Sequence, residues 1–509
     1  MDSANRRIAK NTIFLYIRTI IVLLVTLYTS RLVFQALGVT DMGIFNVVGG
    51  IVTLMTFLQA ALTNATSRFI TYELGLKSDE DSQKRIFAIC ITIHLLLAVV
   101  AIFVTETIGL WAVNRWTDIP SERMYAANVL YQFVIITFLI QLIRVPYDAV
   151  IVAHEKMSVY AYMSIIEAGF QFLIALFLIH YAGDRLVLYG GMRIIGYFLV
   201  FYIYYLYVKR RFAYYQFRWK WDKEASKKVL SFSGWTLLGS GTNTVTQQGV
   251  SLLMNNFVGL VANAALGFAQ QVNGAVGRFV TSFSTAFNPQ VIKLYASGNI
   301  EAMHVLVRRA SKFSFVLCYA FALPLIINMQ FVLNVWLGEV PEYTVAFCQL
   351  MLICSVIDST TGVFNTAITA EGNIKGFQIW ISISFLLDLL CSYLLLVLHF
   401  YPAIVFGSRI ITRGLINMGG ELFFMKKQLS FDIILYAKEV LLPIVLTIII
   451  SSSLVFFVAR YIDNEWTKLI VSTSESCLIL GVCLFAFIMN KNERHTCLSY
   501  IQRKIHVRK

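Results

Sequence analysis

The chain has 509 residues, of which 58% are hydrophobic and only 14% charged, with a mean hydropathy of +0.71 and a formal net charge of +14. So few charges cannot cover the surface of a soluble protein this large, which excludes a soluble multidomain enzyme and requires a polytopic membrane protein. In a soluble chain the positive charge would point to nucleic acid; here its placement makes it a matter of membrane topology.

Fourteen membrane spans are predicted, at 11–37, 42–70, 86–112, 124–151, 159–181, 186–208, 229–257, 262–292, 311–333, 343–370, 376–399, 402–425, 433–459 and 468–490. Each offers the roughly 20 mostly apolar residues that a helix needs to cross the hydrocarbon core. Arg6, Arg7 and Lys10 precede an apolar run too long for a secretory signal, so the first span is expected to remain uncleaved. With an even number of spans both termini fall on one side. The loops and helix ends of that side carry 29 Lys and Arg against five on the other, which places both termini in the cytoplasm by the positive-inside rule. No loop exceeds about 20 residues, so no soluble domain is attached. Of the eight cysteines, seven are expected to be small core residues and Cys497 a reduced tail thiol.

Apart from Lys312, Lys438 and Lys468, counted above with the helix ends, the remaining eight basic residues lie inside spans, and all are arginine: Arg18, Arg31, Arg68, Arg144, Arg193, Arg278, Arg409 and Arg413. Arg68 and Arg144, near cytoplasmic ends, are explained by snorkelling; the other six are functional candidates, because a charge at membrane depth normally faces water or a partner. Comparable acids inside spans, leaving aside Glu106, Glu439 and Glu475 nearer span ends, are Asp148, Glu167, Asp358, Asp388 and Glu421, so the spans carry an excess of positive charge that favours an anionic guest. The central stretch is 261–290, long enough to cross the bilayer yet holding Gln270, Gln271, Asn273 and Arg278. Its alternative reading is an arginine that only pairs with an acid inside the bundle.

An offset of 216 residues relates Gly191-Met192-Arg193-Ile194-Ile195 to Gly407-Ser408-Arg409-Ile410-Ile411, and Glu155 to Glu371; an offset of 224 relates Gly43, Gly50 and Asn64 to Gly267, Gly274 and Asn288. These ordered matches predict an all-α protein of two six-helix lobes (1–208 and 229–427) related by a pseudo-two-fold axis along the membrane normal. A cytoplasmic basic linker at 209–228 joins them, and two extra helices with a basic tail occupy 428–509. The linker, with eight basic residues among aromatics, suits anionic lipid headgroups or a topology anchor.

The second, seventh and eighth spans are rich in polar residues, among them Asn46, Gln59, Gln248, Gln271 and Asn273, whereas the third, fifth, thirteenth and fourteenth are more apolar and are expected to face lipid. The first two helices of each lobe are therefore expected to line the space between the lobes. Small polar residues used as packing glue are the alternative. Arg193, Arg409 and Arg413 are candidates for an outward gate, or for snorkelling to outer headgroups. Asp358 and Asp388, near mid-span, and Glu167 after them, are candidates for ion coupling, because an unpaired carboxylate there can exchange a proton or hold Na⁺. The alternative is a fixed pair with Arg278 or with hydroxyl-bearing neighbours.

The opening RRIAKNTIFLYIR, the turn LGVTDMGIFNVVGG, and the stretches IPSERMYAANVLYQF, RVPYDAVIVAHEKMSVYAY and VWLGEVPEYT resemble those of the bacterial oligosaccharide flippases, within the multidrug/oligosaccharidyl-lipid/polysaccharide exporter superfamily. The resemblance covers nearly the whole chain. It implies movement of an undecaprenyl-diphosphate-linked oligosaccharide from the inner to the outer leaflet of the bacterial inner membrane by alternating access, for O-antigen, capsule or a related lipopolysaccharide or polysaccharide. It further implies a cationic cavity in which arginines of the first and eighth helices meet the diphosphate; Arg18, Arg31 and Arg278 stand on those helices. Guanidinium matches phosphate oxygens bidentately, which independently accounts for arginine rather than lysine in the spans.

No enzyme activity, metal or cofactor is expected, since no phosphate-binding loop, zinc spacing or nucleophile elbow occurs. Coupling to a H⁺ or Na⁺ gradient is expected instead. The expected partners are the lipid-linked oligosaccharide, anionic membrane lipids and the polysaccharide polymerase machinery, with the chain itself a monomer. An ion-coupled multidrug antiporter should carry an acid on the first helix rather than Arg18 and Arg31, and a membrane polymerase or ligase should carry a large outer loop.

Overall fold

A computed structural model describes residues 2–53, 55–115, 119–215, 219, 222–489 and 494, with backbone only at 2–10, 39, 51 and 53. Among the described residues the secondary structure is entirely helical. The N-terminal basic side chains, the middle of the linker, Cys497 and most of the basic tail lie outside them.

In chain order the helices are α1 (Asp2–Thr53), α2 (Thr56–Gly75), α3 (Glu80–Val104), α4 (Leu110–Arg115), α5 (Met124–Ala153), α6 (Met157–His180), α7 (Arg185–Arg211), α8 (Lys223–Phe257) and α9 (Leu260–Ala296). They continue as α10 (Ile300–Ile327), α11 (Met329–Leu337), α12 (Thr344–Glu371), α13 (Lys375–Val397), α14 (Ile404–Ile411), α15 (Met418–Leu429), α16 (Ile433–Tyr436), α17 (Leu442–Ala459) and α18 (Glu465–Cys483). The pieces add up to a polytopic bundle of about 14 spans. Wide helical turns at Thr105–Gly109, Thr412–Asn417 and Ala437–Leu441 join α3 to α4, α14 to α15 and α16 to α17. Among the described residues ten helices are long and apolar enough to cross a membrane. The predicted seventh, eighth and twelfth spans fall short because of their polar residues, and the second because its helix is divided between α1 and α2.

Two boundaries differ from the sequence expectation. The predicted second span is divided, its start running on from α1 and its remainder forming α2; and the predicted ninth breaks at Asn328, whose side-chain amide donates to the Pro324 carbonyl at 2.8 Å and to Ser472 at 2.7 Å. Between the first two spans α1 turns at Gly38, with φ 73° and ψ −179°, a region open essentially only to glycine. Just beyond the turn, Asp41 lies 2.7 Å from Arg123, whose other nitrogen lies 2.8 Å from Asp184, the residue that caps α7. Gly38→Ala is expected to cost on the order of 1–3 kcal/mol and to lower the melting temperature of the purified protein; an unchanged melting temperature would mean that the turn relaxes freely.

The chain forms two compact units. The first holds residues 1–244, 285–299 and 372–379, the second residues 245–284, 300–371 and 380–509. Residues 223–244 of α8 and 285–296 of α9 thus group with the six N-terminal spans, and the rest of both helices with the second unit. In the first unit α1 packs on α6, and α5 on α2 and α7, around Leu130, Tyr131, Leu142, Val150 and Tyr204. In the second, α12 packs on α10 and α15, with Phe364 ringed by Phe431 and Tyr436, whose hydroxyl donates to the Thr360 carbonyl at 3.0 Å.

α17 and α18 pack on each other and on α10. They do more than face lipid: Thr447, Ser451, Ser472 and Ser476 are buried, Ser451 donates to Tyr319 at 3.2 Å, and Asn328 donates to Ser472 at 2.7 Å. Small hydroxyl residues let helices approach closely in a membrane and join them by hydrogen bonds. Five of the seven described cysteines are buried; Cys391 is half-buried and Cys477 is exposed on α18, so those two are not core residues.

Where the first unit turns from α5 to α6, His154 stacks on Phe212 at 4.2 Å between centroids and meets Tyr215 at 5.7 Å, anchoring the start of the linker. Burial pushes this imidazole down to about 4; its contact with the Val150 carbonyl opposes the shift, Lys293 and Lys156 reinforce it, and Glu155 opposes it. His154 is therefore neutral in the folded chain and takes a proton more readily when unfolded, near the ordinary value of about 6.5. Its stabilising contribution is present above that value and is lost as pH falls through about 4. Melting temperature should decline between pH 6.5 and 4 in the wild type and less steeply in His154→Gln; identical pH profiles would remove His154 from the acid response.

Candidate anion-binding site

The arginines inside the spans fall into two groups, which hydropathy could not separate. In the second unit Arg413 on the wide turn after α14 lies 2.6 Å from Asp358 of α12, and Arg409 lies 2.9 Å from Asp388 of α13. Asp388 and Arg409 are 2% and 8% exposed, so this pair is sealed from water. In the first unit Arg144 lies 3.3 Å from Asp148 and 2.9 Å from Glu167, over the ring of Tyr204. These pairings correct three expectations. Asp358 and Asp388 are not unpaired carboxylates, and Glu167 is also bound to an arginine; Arg144 is a paired interior residue and does not snorkel. Arg68 is also buried, stacked on Phe69, Tyr72 and Phe232.

The repeat-related Arg193 and Arg409 differ as well. Arg193 has no carboxylate within ion-pair range among the described residues and sits over the rings of Phe45, Tyr189 and Tyr197, with its Nη2 3.4 Å from the Tyr197 hydroxyl. The same position in the second lobe is neutralised by Asp388, so a shared gating role has no common geometry behind it.

The other group comprises Arg18 and Arg31 on α1 and Arg278 on α9. None has a carboxylate partner among the described residues. Arg31 and Arg278 are exposed, and Arg18 is half-buried over the Tyr160 ring at 5.4 Å, with its Nε making no hydrogen bond. A cation over an aromatic face keeps its N–H groups available for a second partner. The two α1 arginines belong to the first unit and Arg278 to the second.

The polar residues of the second, seventh and eighth spans sort themselves by the same test. In α8 and α9 the hydroxyls of Thr242, Thr244, Thr281, Ser282 and Ser284 donate to carbonyls four residues back, at 2.7–3.1 Å. Such donors are already satisfied within their own helix. Asn46, Gln248 and Gln271 are instead exposed, with no side-chain hydrogen bond among the described residues. Gln59 is half-buried, its carbonyl accepting from Thr63, and Asn273 is held by Ser355 at 2.7 Å. Free amides and guanidinium groups can serve sugar hydroxyls and phosphate oxygens respectively. Among the described residues no cluster of three or more His, Cys, Asp and Glu could hold a metal.

The family model for polysaccharide biosynthesis proteins matches residues 8–294, more than half of the chain. Solved structures share the fold: a MATE point mutant (TM-score 0.73, 14% identity, covering 83% of this chain and 96% of that one) and a MATE in the bent conformation (0.72, 15%, 84% and 96%). A MOP superfamily transporter from Pyrococcus furiosus, described as having a binding pocket of reverse polarity, is similar at 0.71 and 14%, covering 83% and 97%. No curated protein matches the chain by sequence at a significant level. The chain belongs to the polysaccharide biosynthesis protein family, and it is a multi-pass membrane protein.

Proposed function

We propose that the chain is a flippase that carries an undecaprenyl-diphosphate-linked oligosaccharide across the bacterial inner membrane by alternating access, supplying O-antigen, capsule or a related polysaccharide. The observation that carries this reading is that Arg18, Arg31 and Arg278 have no carboxylate partners among the described residues, while four span acids are bound to other arginines. A free guanidinium at membrane depth is costly, and a diphosphate is the guest that matches its planar donor fork. The exposed amides of Asn46, Gln248 and Gln271 suit a glycan, and the polyprenyl tail can stay in lipid throughout. The family supports the polysaccharide assignment, and the positive-inside count supports cytoplasmic termini.

With Asp358, Asp388 and Glu167 in ion pairs, coupling to a H⁺ or Na⁺ gradient would require one of these pairs to open during the cycle. Deleting the gene should make lipid-linked oligosaccharide accumulate on the inner leaflet, and the wild-type chain should clear it. No accumulation, together with loss of resistance to cationic drugs, would assign the chain to antiport instead.

A further inference from the structure

The repeat-related Glu155 takes no part in the anion site. It follows α5 in a left-handed conformation, φ 58°, where glycine or asparagine would fit without strain. Its backbone N–H closes the helix end on the Val152 carbonyl at 2.8 Å, a bond that any side chain would permit. Its own side chain, 2% exposed, accepts from Gln290 Nε2 at 2.5 Å and from Lys293 Nζ at 2.6 Å. Asn11 of α1 donates to its carbonyl at 3.5 Å. A strained, buried carboxylate is thus bound by two residues from the last turns of α9.

Those last turns are set apart from the rest of their helix. Residues 260–284 of α9 belong to the second unit and residues 285–296 to the first. Pro289 lies inside the helix next to this change, and it removes the hydrogen bond to the Thr285 carbonyl. Beyond it the segment is packed closely. Ala286 is buried with Leu15 and Met157, and a Cβ added at Gly75 would stand 2.6 Å from the Ala296 side chain. Arg278, which has no carboxylate partner among the described residues, sits on the same helix before the proline. One helix therefore carries a candidate substrate contact, a weak point, and an end clasped to the turn between α5 and α6.

We propose that Glu155, Gln290 and Lys293 form a releasable latch: closed, it clasps the end of α9 beyond Pro289 to the turn between α5 and α6, and during transport it parts and lets that end swing at the proline. This inference rests on the transport reading above. Lys293 is the accessible member, its side chain 25% exposed, so an anion can approach it while Glu155 remains enclosed.

The test follows a cysteine at Val291, which is fully buried in the closed arrangement. In inside-out vesicles, labelling of V291C by a membrane-impermeant maleimide, compared with the same chain lacking that substitution, should be slow. It should become several-fold faster with Glu155→Gln or Glu155→Gly. The glycine variant relieves the backbone strain at this turn, so it distinguishes release from misfolding. The exchange E155K/K293E should restore slow labelling. Separately, E155C/K293C bridged by a short thiosulfonate cross-linker should block polymer display, with activity returning on reduction. Equal labelling in wild type and both Glu155 variants, or transport by the bridged protein, overturns the latch. The labelling needs no glycan. Faster labelling without accumulation of lipid-linked oligosaccharide on gene deletion would leave the latch standing and reject the cargo.

Discussion

Arg278→Ala is expected to abolish polymer display in cells lacking their own flippase while leaving the amount of protein in the membrane unchanged. The two halves of that outcome have separate causes. Arg278 is exposed and holds no carboxylate among the described residues, so its removal strands no buried charge and opens no packed core. Stability is spared. A bidentate contact with a phosphate, in contrast, comprises two charge-assisted hydrogen bonds worth about 1.5–3 kcal/mol each. Losing both weakens binding by roughly 100-fold or more. Arg278→Lys keeps the charge but not the fork, and should recover part of the display. Arg18→Ala should behave similarly, with a smaller loss if the Tyr160 ring shares the contact. Normal display by both alanine variants would remove these residues from the mechanism.

Arg409→Ala is expected to do the opposite, depleting the protein from the membrane before transport can be assayed. The side chain is 9% exposed and its partner Asp388 3%, with the charges 2.9 Å apart. Removing one member of such a pair leaves an uncompensated buried charge, a loss of about 3–5 kcal/mol. Replacing both, as in Asp388→Leu with Arg409→Met, restores an uncharged interior and should recover much of the abundance. The exposed pair of Lys84 and Asp81, at 3.2 Å, serves as the comparison. Lys84→Ala should change stability by less than about 1 kcal/mol. Normal thermal stability of purified Arg409→Ala would show that water reaches the Asp388 carboxylate. A double variant that is abundant but inactive would give the pair a part in the cycle beyond holding α13 to α14.

The sequence by itself determined that the chain lives in a membrane, the approximate place of its spans, and the singular character of α9. These are consequences of local composition: twenty apolar residues cross a bilayer whatever surrounds them, and a mid-span arginine is visible as a letter. It also marked Glu155 as a repeat position, though not what the side chain holds. Only the tertiary structure decided which arginines are free. Arg413 and Asp358 are 55 residues apart, Arg144 and Glu167 23 apart, and Glu155 and Lys293 138 apart. No helical periodicity links such positions; their meeting depends on which helices pack and at what rotation. Charge counting gave an excess of cations without locating it, because a paired and an unpaired guanidinium read identically in one dimension. The difference is a contact of about 3 Å, and contacts at that range are made by packing.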